Sequence, residues 1–368
     1  MLENVGSASP AVRIKTPLRL GRFVLEIREG VSYAEHAVIL GGFILLGLLI
    51  SAVILVASGV PARNLANEFI LDTFADPQSV RNVLRLAAPL AFIGLAAAMA
   101  FRVGFWNLGL EGQMIWGGIA GAYLSIHHVG PDSTRLFTMF VAAAAAGALW
   151  ILVAAFLKLR FGVNEIISTL LLGYVATYFL IYLLHGPWLD PRDGFPHSQL
   201  FASYEHLPDL GDGISSAVPF AIIATIMMAW LVHVSRVALY MQFVRNDSLV
   251  ALATGVPVRM VMVLAIGLSG ALAGLGGEVI LTSQEGRLTY TFFTGFGFSG
   301  ILIAFLGRNH PFVVLGVAVL VAMLFVAGQN LQIFYQIPGS MVQVIEATIV
   351  LCVASADFFL RHRLHWVR

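Results

Sequence analysis

The chain has 368 residues, of which 59% are hydrophobic and only 11% are charged, and its mean hydropathy is +0.88. A soluble domain carries about 25% charged residues, so this composition excludes a soluble globular protein and indicates an integral membrane protein. The net charge of +1 gives no indication of nucleic-acid binding, and the single cysteine, Cys352, excludes an internal disulfide. The ten histidines show no metal-binding spacing, and no catalytic constellation is visible, so we expect neither a metal site nor an enzyme.

The apolar segments predict an all-α integral membrane protein with about ten transmembrane helices. Continuous apolar runs of ~18–22 residues are typical of spanning helices, whereas barrel strands alternate over about 10 residues. Spans 2 and 8 are the shortest and adjoin polar or Gly-rich motifs, as helices beside a midplane site do. The predicted spans are 37–57, 86–101, 109–126, 136–157, 166–185, 216–235, 260–281, 293–307, 312–328 and 342–360.

The distribution of Lys and Arg predicts that both termini lie on the cytoplasmic side. With the N-terminus inside, 15 of the 21 Lys and Arg residues fall in cytoplasmic segments, in agreement with the positive-inside rule. Polar or Gly-rich motifs follow spans 2 and 7, which are five spans apart. Because five is an odd number, an internal repeat at this offset would be inverted in the membrane. The expected organisation is a cytoplasmic segment 1–36, one transmembrane domain 37–360 and a cytoplasmic tail 361–368.

Three long connections interrupt the spans. Residues 58–85, with Glu68, Asp72, Asp76 and Arg81, are predicted to form a partly helical external cap, and 186–215 an ordered external loop rich in Pro and Asp. The cytoplasmic loop 236–259 contains Asn246-Asp247-Ser248, which predicts a helix N-cap. A short helix through Ala253 would follow and end at Gly255-Val256-Pro257. A short cytoplasmic helix suits the docking of a soluble partner.

The segment Phe105-Trp106-Asn107-Leu108-Gly109-Leu110-Glu111-Gly112-Gln113 places polar side chains between two apolar spans. Polar groups near membrane depth are costly unless they face protein or a water-filled path. At helical spacing Asn107 and Glu111 share one face. The motif is therefore the lining of a substrate path, a hydrogen-bonded cluster that fixes the turn between spans 2 and 3, or a solvated loop before an ordinary helix start.

Two further motifs and one acidic residue have alternative interpretations. In Gly162–Thr169, Asn164 and Glu165 either cap span 5 or contact a partner subunit. In Gly295-Phe296-Gly297-Phe298-Ser299-Gly300, the glycines either permit close helix packing or leave backbone groups free to line a cavity. Glu278 lies near the outer end of span 7, where it reaches the membrane interface or the pore mouth. The pairs Gly117/Gly121 and Gly270/Gly274 are typical of tight helix packing.

Several motifs in order resemble the permease subunits of bacterial ABC importers. The resemblance is to the branched-chain amino acid and simple-sugar permease superfamily, and within it to the nucleoside branch that works with a Bmp-type binding lipoprotein. It covers roughly residues 80–355. The motifs that carry it are Pro89–Leu95, Phe101–Gln113, Gly162–Leu170, Gly186–Pro191, Gly295–Gly300 and Leu306–Pro311.

The resemblance implies a set of partners and roles. Two permease subunits, often different chains, would form the pore in the bacterial inner membrane, surrounded by lipid. A cytoplasmic ATPase would hold ATP and Mg, with no cofactor on this chain, and an external binding protein would deliver substrate. We expect substrate-pathway residues at Asn107, Glu111, Gln113, Phe296 and Ser299, ATPase-coupling residues at Asn246, Asp247, Ser248, Ala251 and Gly255, and structural or gating residues at Asn164, Glu165, Thr169, Gly295 and Gly297.

The expected function is ATP-driven import of nucleosides, or of another small uncharged solute such as a simple sugar. A largely apolar path with a few amides suits an uncharged solute better than a zwitterion. The alternative is a secondary transporter driven by an ion gradient, which would need intramembrane carboxylates. Only Glu111, Glu165 and Glu278 are candidates for that role.

Overall fold

A computed structural model of the chain describes residues 18–20, 23–27, 32–61, 76–192, 194–211, 213–336 and 338–366. The fold is mostly helical, with short strands at the two ends of the chain. The strands are β1 (Leu18–Leu20), β2 (Phe23–Ile27) and β3 (His362–Trp366). The helices are α1 (Tyr33–Ala57), α2 (Pro77–Phe101), α3 (Leu110–Ile126), α4 (Asp132–Phe161), α5 (Glu165–His185), α6 (Ala217–His233), α7 (Arg236–Asn246), α8 (Ser248–Ala253), α9 (Val258–Ile280), α10 (Phe296–Leu306), α11 (Pro311–Tyr335) and α12 (Gly339–Arg361).

Each predicted span coincides with a helix to within about ten residues at its ends. Six helices in the described part of the chain are long and apolar enough to cross a membrane. The pair α6 and α7, bent by 68°, makes a seventh if it is counted as one span. The multi-pass membrane character is therefore confirmed. The number ten is not confirmed by length and hydropathy, since α10 has only 11 residues and α3 only 17.

The second helix begins earlier than the sequence indicated. The Asp76 carboxylate accepts hydrogen bonds from the backbone N–H groups of Gln78 and Ser79, at 3.3 and 2.8 Å, and Pro77 occupies the first turn. These bonds lower the pKa of Asp76. The prediction of a short span 2 was wrong, because the polar residues of its first turns concealed the helix start. The predicted external cap 58–85 therefore ends at residue 76, and its portion 62–75 lies outside the described residues.

The two ends of the chain pair in a three-stranded antiparallel sheet. Strand β2 lies between β1 and β3, with Leu25 opposite Leu18 on one side and Leu364 on the other. The mostly helical fold agrees with the prediction of an all-α protein, but the sequence did not indicate these short strands. Strands of three to five residues that pair across almost the whole chain leave no periodic signal in the local sequence.

The core is built around α2. Every residue of α2 from Leu86 to Phe101 is buried, and the helix packs against α6, α9, α10 and α11. A second, smaller cluster forms where α1 packs against α12. Helices α3, α4 and α9 meet through glycines: a Cβ placed on Gly117 would lie 2.5 Å from the Cα of Gly274. The predicted tight packing at both glycine pairs is confirmed.

Candidate functional site

The amides of Asn107 and Gln113 form a closed hydrogen-bonded network inside the protein. Asn107 Nδ2 donates to Gln113 Oε1 at 3.0 Å and to Ser269 Oγ at 3.1 Å, and Gln113 Nε2 donates back to Asn107 Oδ1 at 2.8 Å. Ser269 Oγ donates in turn to the Ala96 carbonyl at 2.6 Å. All three side chains are at most 1% exposed. The network therefore ties the turn before α3 to α2 and α9, which favours the turn-fixing interpretation of this motif.

Glu111 connects this turn to the Gly-rich motif. Its side chain lies against Gly297, and its carboxylate is close to the backbone N–H groups of Gly295 and Gly297. These groups lie at the start of α10, where free N–H groups and the helix dipole favour a negative charge. A residue larger than glycine would not fit at position 297, because the Glu111 side chain occupies the place that its Cβ would take. Two motifs that are about 185 residues apart in sequence thus form one contact.

The third motif meets the same turn from α5. The backbone N–H of Leu108 donates to Thr169 Oγ1 at 3.2 Å, and a Cβ on Gly109 would lie 3.0 Å from Thr169 Cβ. Glu165 forms an ion pair with Lys158 at the end of α4, and Lys158 lies 5.5 Å from the ring centroid of Phe105. Asn164 caps α5 by accepting from the Ile166 N–H at 2.9 Å, as the capping interpretation predicted.

The structure brings most of the predicted pathway and gating residues to one region, the turn 102–109 and the helix ends around it. Phe296 and Ser299 lie on α10 and are 8% and 5% exposed, and Phe296 packs against Phe325. Of the five predicted pathway residues only Glu111 is half-buried, and the other four are buried. Their role in a substrate pathway stays a prediction. The contacts described above hold α2, α3, α5, α9 and α10 together around the turn 102–109. We call this region the braced joint.

The predicted coupling residues lie apart from this joint. Asp247 caps α8 by accepting from the N–H groups of Leu249 and Val250, at 2.8 and 3.1 Å, and the short helix runs from Ser248 to Ala253 as predicted. Ala251 is fully buried, Asn246 is exposed, and Gly255 has a φ of +82° that favours glycine.

Sequence reasoning missed the exposed apolar surface of α8. Leu249, Val250 and Leu252 are 77%, 56% and 63% exposed. The signal for them was available, since three large apolar side chains directly follow the Asn246-Asp247-Ser248 cap. We call Leu249, Val250 and Leu252 the α8 surface.

Glu278 differs from its predicted place at the membrane interface. It is fully buried against Gly121, and neither carboxylate oxygen has a hydrogen-bond partner among the described residues. Near it Arg135 forms a buried ion pair with Glu205 at 3.1 Å and a second with Asp132 at 2.6 Å. The interface prediction was wrong because the glycines of α3 let α9 approach so closely that the side chain is enclosed.

The predicted ordered loop 186–215 packs over this end of the bundle. Ser198 N–H donates to the Leu288 carbonyl at 2.9 Å and Phe201 N–H to the Gly286 carbonyl at 2.8 Å, so the loop is hydrogen-bonded to the segment that follows α9. The described residues of this loop leave out positions 193 and 212, and its place on the external side stays a prediction.

Comparison with known proteins gives the family. The family described as "Branched-chain amino acid transport system / permease component" matches residues 79–354. The chain belongs to this permease family. It is 31% identical to the glucose ABC transporter permease protein of Haloferax volcanii, over 87% of this chain and 88% of that one. It is 30% identical to the guanosine ABC transporter permease protein of Bacillus subtilis, over 85% and 91%, and 24% identical to a nucleoside ABC transporter permease protein of Lactococcus lactis subsp. cremoris, over 84% and 88%.

The permease is therefore the membrane subunit of an ABC importer and not an enzyme in itself. This agrees with the motif resemblance and excludes the secondary transporter. Two of the three carboxylates that a secondary transporter would have needed have other contacts: Glu165 forms an ion pair with Lys158, and Glu111 lies against Gly297 at the start of α10. The permease is a multi-pass membrane protein that functions with the other components of an ABC system.

Proposed function

We propose that this permease imports nucleosides across the bacterial cytoplasmic membrane, as one of two permease subunits that form the pore. A cytoplasmic ATPase binds ATP and Mg, and an extracytoplasmic binding protein delivers the substrate. All ten predicted spans cross the membrane in this proposal, including the short α3 and α10, and both termini lie inside. The pathway runs beside the braced joint, where Glu111, Phe296 and Ser299 are nearest to its wall.

The observation that carries the proposal is the α8 surface. Three apolar side chains on a capped helix of six residues are exposed. In the proposed topology this helix lies in a cytoplasmic loop outside the bilayer, so a partner protein would bury them. Helix α8 contacts α7 and α9, and α7 contacts α6. A movement imposed on α8 by the ATPase would therefore reach α9 directly and α6 through α7.

The charges near the joint support an uncharged substrate. Lys158 and Glu165 neutralise each other, and the Glu111 carboxylate lies close to the backbone N–H groups of Gly295 and Gly297. The described hydrogen-bond partners of Asn107, Gln113 and Thr169 are neutral, so they offer no cation for a substrate carboxylate, as an amino acid would require. A nucleoside or a sugar needs only hydrogen bonds and apolar contact.

Nucleosides are the first candidate because two of the relatives given above are named for guanosine or nucleosides. Simple sugars are the second candidate, favoured by the relative named for glucose, which is 31% identical. In both cases the binding protein supplies most of the selectivity, and the permease contributes the path.

The test is ATPase coupling in the assembled transporter. Leu249→Glu/Leu252→Glu places two charges on the α8 surface and should abolish the stimulation of ATP hydrolysis by the loaded binding protein. Leu210→Glu is the matched control, because Leu210 is 62% exposed in the loop 186–215 and away from α8. The proposal fails if the α8 variant hydrolyses ATP in response to the loaded binding protein as well as the control does.

A further inference from the structure

A cavity of about 350 Å³ opens at the end of the bundle where α2, α10 and α12 terminate. One wall is aromatic: Phe101, Trp106 and Phe305 pack against one another with ring centroids 4.9 to 5.7 Å apart. Trp106 is 44% exposed. The other wall carries Arg245 from the end of α7 and Arg308 from the turn between α10 and α11. We call this cavity the basic pocket.

The positive charge of the basic pocket is uncompensated among the described side chains. Arg102, Arg245 and Arg308 form none of the ion pairs found in that part of the chain. Arg102 lies just beyond α2, and burial together with the neighbouring guanidinium of Arg245 lowers its pKa. Its Nε is buried without a hydrogen-bond partner in the described structure. Like charges held this close are unfavourable without an anion between or beside them.

The turn that carries Arg308 is held in an uncommon conformation. Arg308 and Asn309 both have positive φ, 49° and 59°, in the left-handed region that favours glycine. Arg102 Nη2 fixes the turn by donating to the Asn309 carbonyl at 2.8 Å. Arg102 therefore positions the turn, and Arg245 and Arg308 are the donors at the pocket.

We propose that the basic pocket binds the phosphate of an anionic phospholipid headgroup, with Arg245 and Arg308 as its donors. Arginine forms paired, charge-assisted hydrogen bonds to phosphate oxygens. Basic pockets between helix ends on the cytoplasmic side of membrane proteins are suited to anionic headgroups.

The position of the pocket favours a lipid over a soluble phosphate compound. In the topology of the proposed function, on which this inference rests, it lies where α2, α10 and α12 end, at the headgroup region of the bilayer. Exposed tryptophan is typical of that level. Phe305 and the end of α12 at Leu360 provide an apolar floor for the glycerol and upper acyl chain, which a soluble anion would not use.

The test measures phosphatidylglycerol and phosphatidylcholine binding to the purified transporter by native mass spectrometry. We expect the wild type to retain phosphatidylglycerol selectively. Arg245→Gln/Arg308→Gln should weaken its binding roughly 25-fold, at about fivefold for each arginine near the membrane surface. Arg236→Gln/Arg259→Gln is the matched control, since it removes two exposed arginines that begin α7 and α9 and do not line the pocket. The control should bind as the wild type does.

A second measurement does not depend on the folding of the arginine variant. Brominated phosphatidylglycerol should quench a component of the tryptophan fluorescence that is present in the wild type and missing in Trp106→Phe. Glycerol phosphate added in solution should not relieve this quenching.

Three results would overturn the proposal: equal binding of the two lipids, an equal loss in the Arg236/Arg259 control, or no quenching of Trp106. If glycerol phosphate saturates the basic pocket at low concentration, the ligand is a soluble phosphate compound and not a lipid.

Discussion

Replacing Asn107 by alanine should destabilise the permease far more than the loss of one side chain suggests. Asn107 makes four hydrogen bonds in the buried network. In Asn107→Ala the N–H of Gly109 and the Oε1 of Gln113 lose their partners, whereas Ser269 keeps its bond to Ala96. Each unsatisfied buried group costs about 1–3 kcal/mol, which gives a loss of about 2–6 kcal/mol in the free energy of unfolding.

The assay is unfolding by SDS in mixed detergent micelles, followed by the loss of helical circular dichroism. Asn164→Ala is the control, because the exposed Asn164 makes one capping bond and its loss should cost about 1 kcal/mol. The double variant Asn107→Leu/Gln113→Leu should cost less than the sum of its single changes, since it removes both partners together. Equal losses for Asn107→Ala and Asn164→Ala, or additive single changes, would refute the closed network.

Two further stability predictions use the same assay. Gly117→Ala should weaken the packing of α3 against α9, because the added Cβ would lie 2.5 Å from the Gly274 backbone. Gly41→Ala on α1 is the control and should have little effect, because its new methyl group meets nothing within 4 Å. Similar losses of stability in the two variants would contradict the glycine contact. Glu205→Gln should cost about 3 kcal/mol because it removes the one buried carboxylate that pairs with Arg135, which is 3% exposed, and leaves only the exposed Asp132 as its ion-pair partner among the described residues. Glu278→Gln should leave stability equal or higher, since that carboxyl has no hydrogen-bond partner in the described structure. A marked loss in Glu278→Gln would show that it has one.

The helices were largely predictable from the sequence because each apolar run is long and continuous. The start of α2 was missed because its first turns carry Gln78, Arg81 and Arg85, which lower the local hydropathy without breaking the helix. The cap of α8 was predictable, since Asp247 before a short apolar run is a local signal.

Long-range contacts were less predictable. The sequence singled out the motifs around Asn107, Asn164 and Gly295, but their meeting at one joint depends on how α3, α5 and α10 pack. Glu278 shows the same limit: its burial depends on Gly121 of another helix. The pairing of β2 with β3 depends on the two ends of the chain being adjacent in the fold.

The most direct test of the proposed function is transport in proteoliposomes that contain the permease, its partner subunit and the ATPase, with the binding protein outside and ATP inside. The account predicts uptake of labelled guanosine that requires ATP and the binding protein, persists when ion gradients are collapsed by an ionophore, and exceeds uptake of glucose. Guanosine uptake that continues without ATP and stops with the ionophore would contradict the ABC mechanism. ATP-dependent uptake of glucose with none of guanosine would contradict the nucleoside assignment.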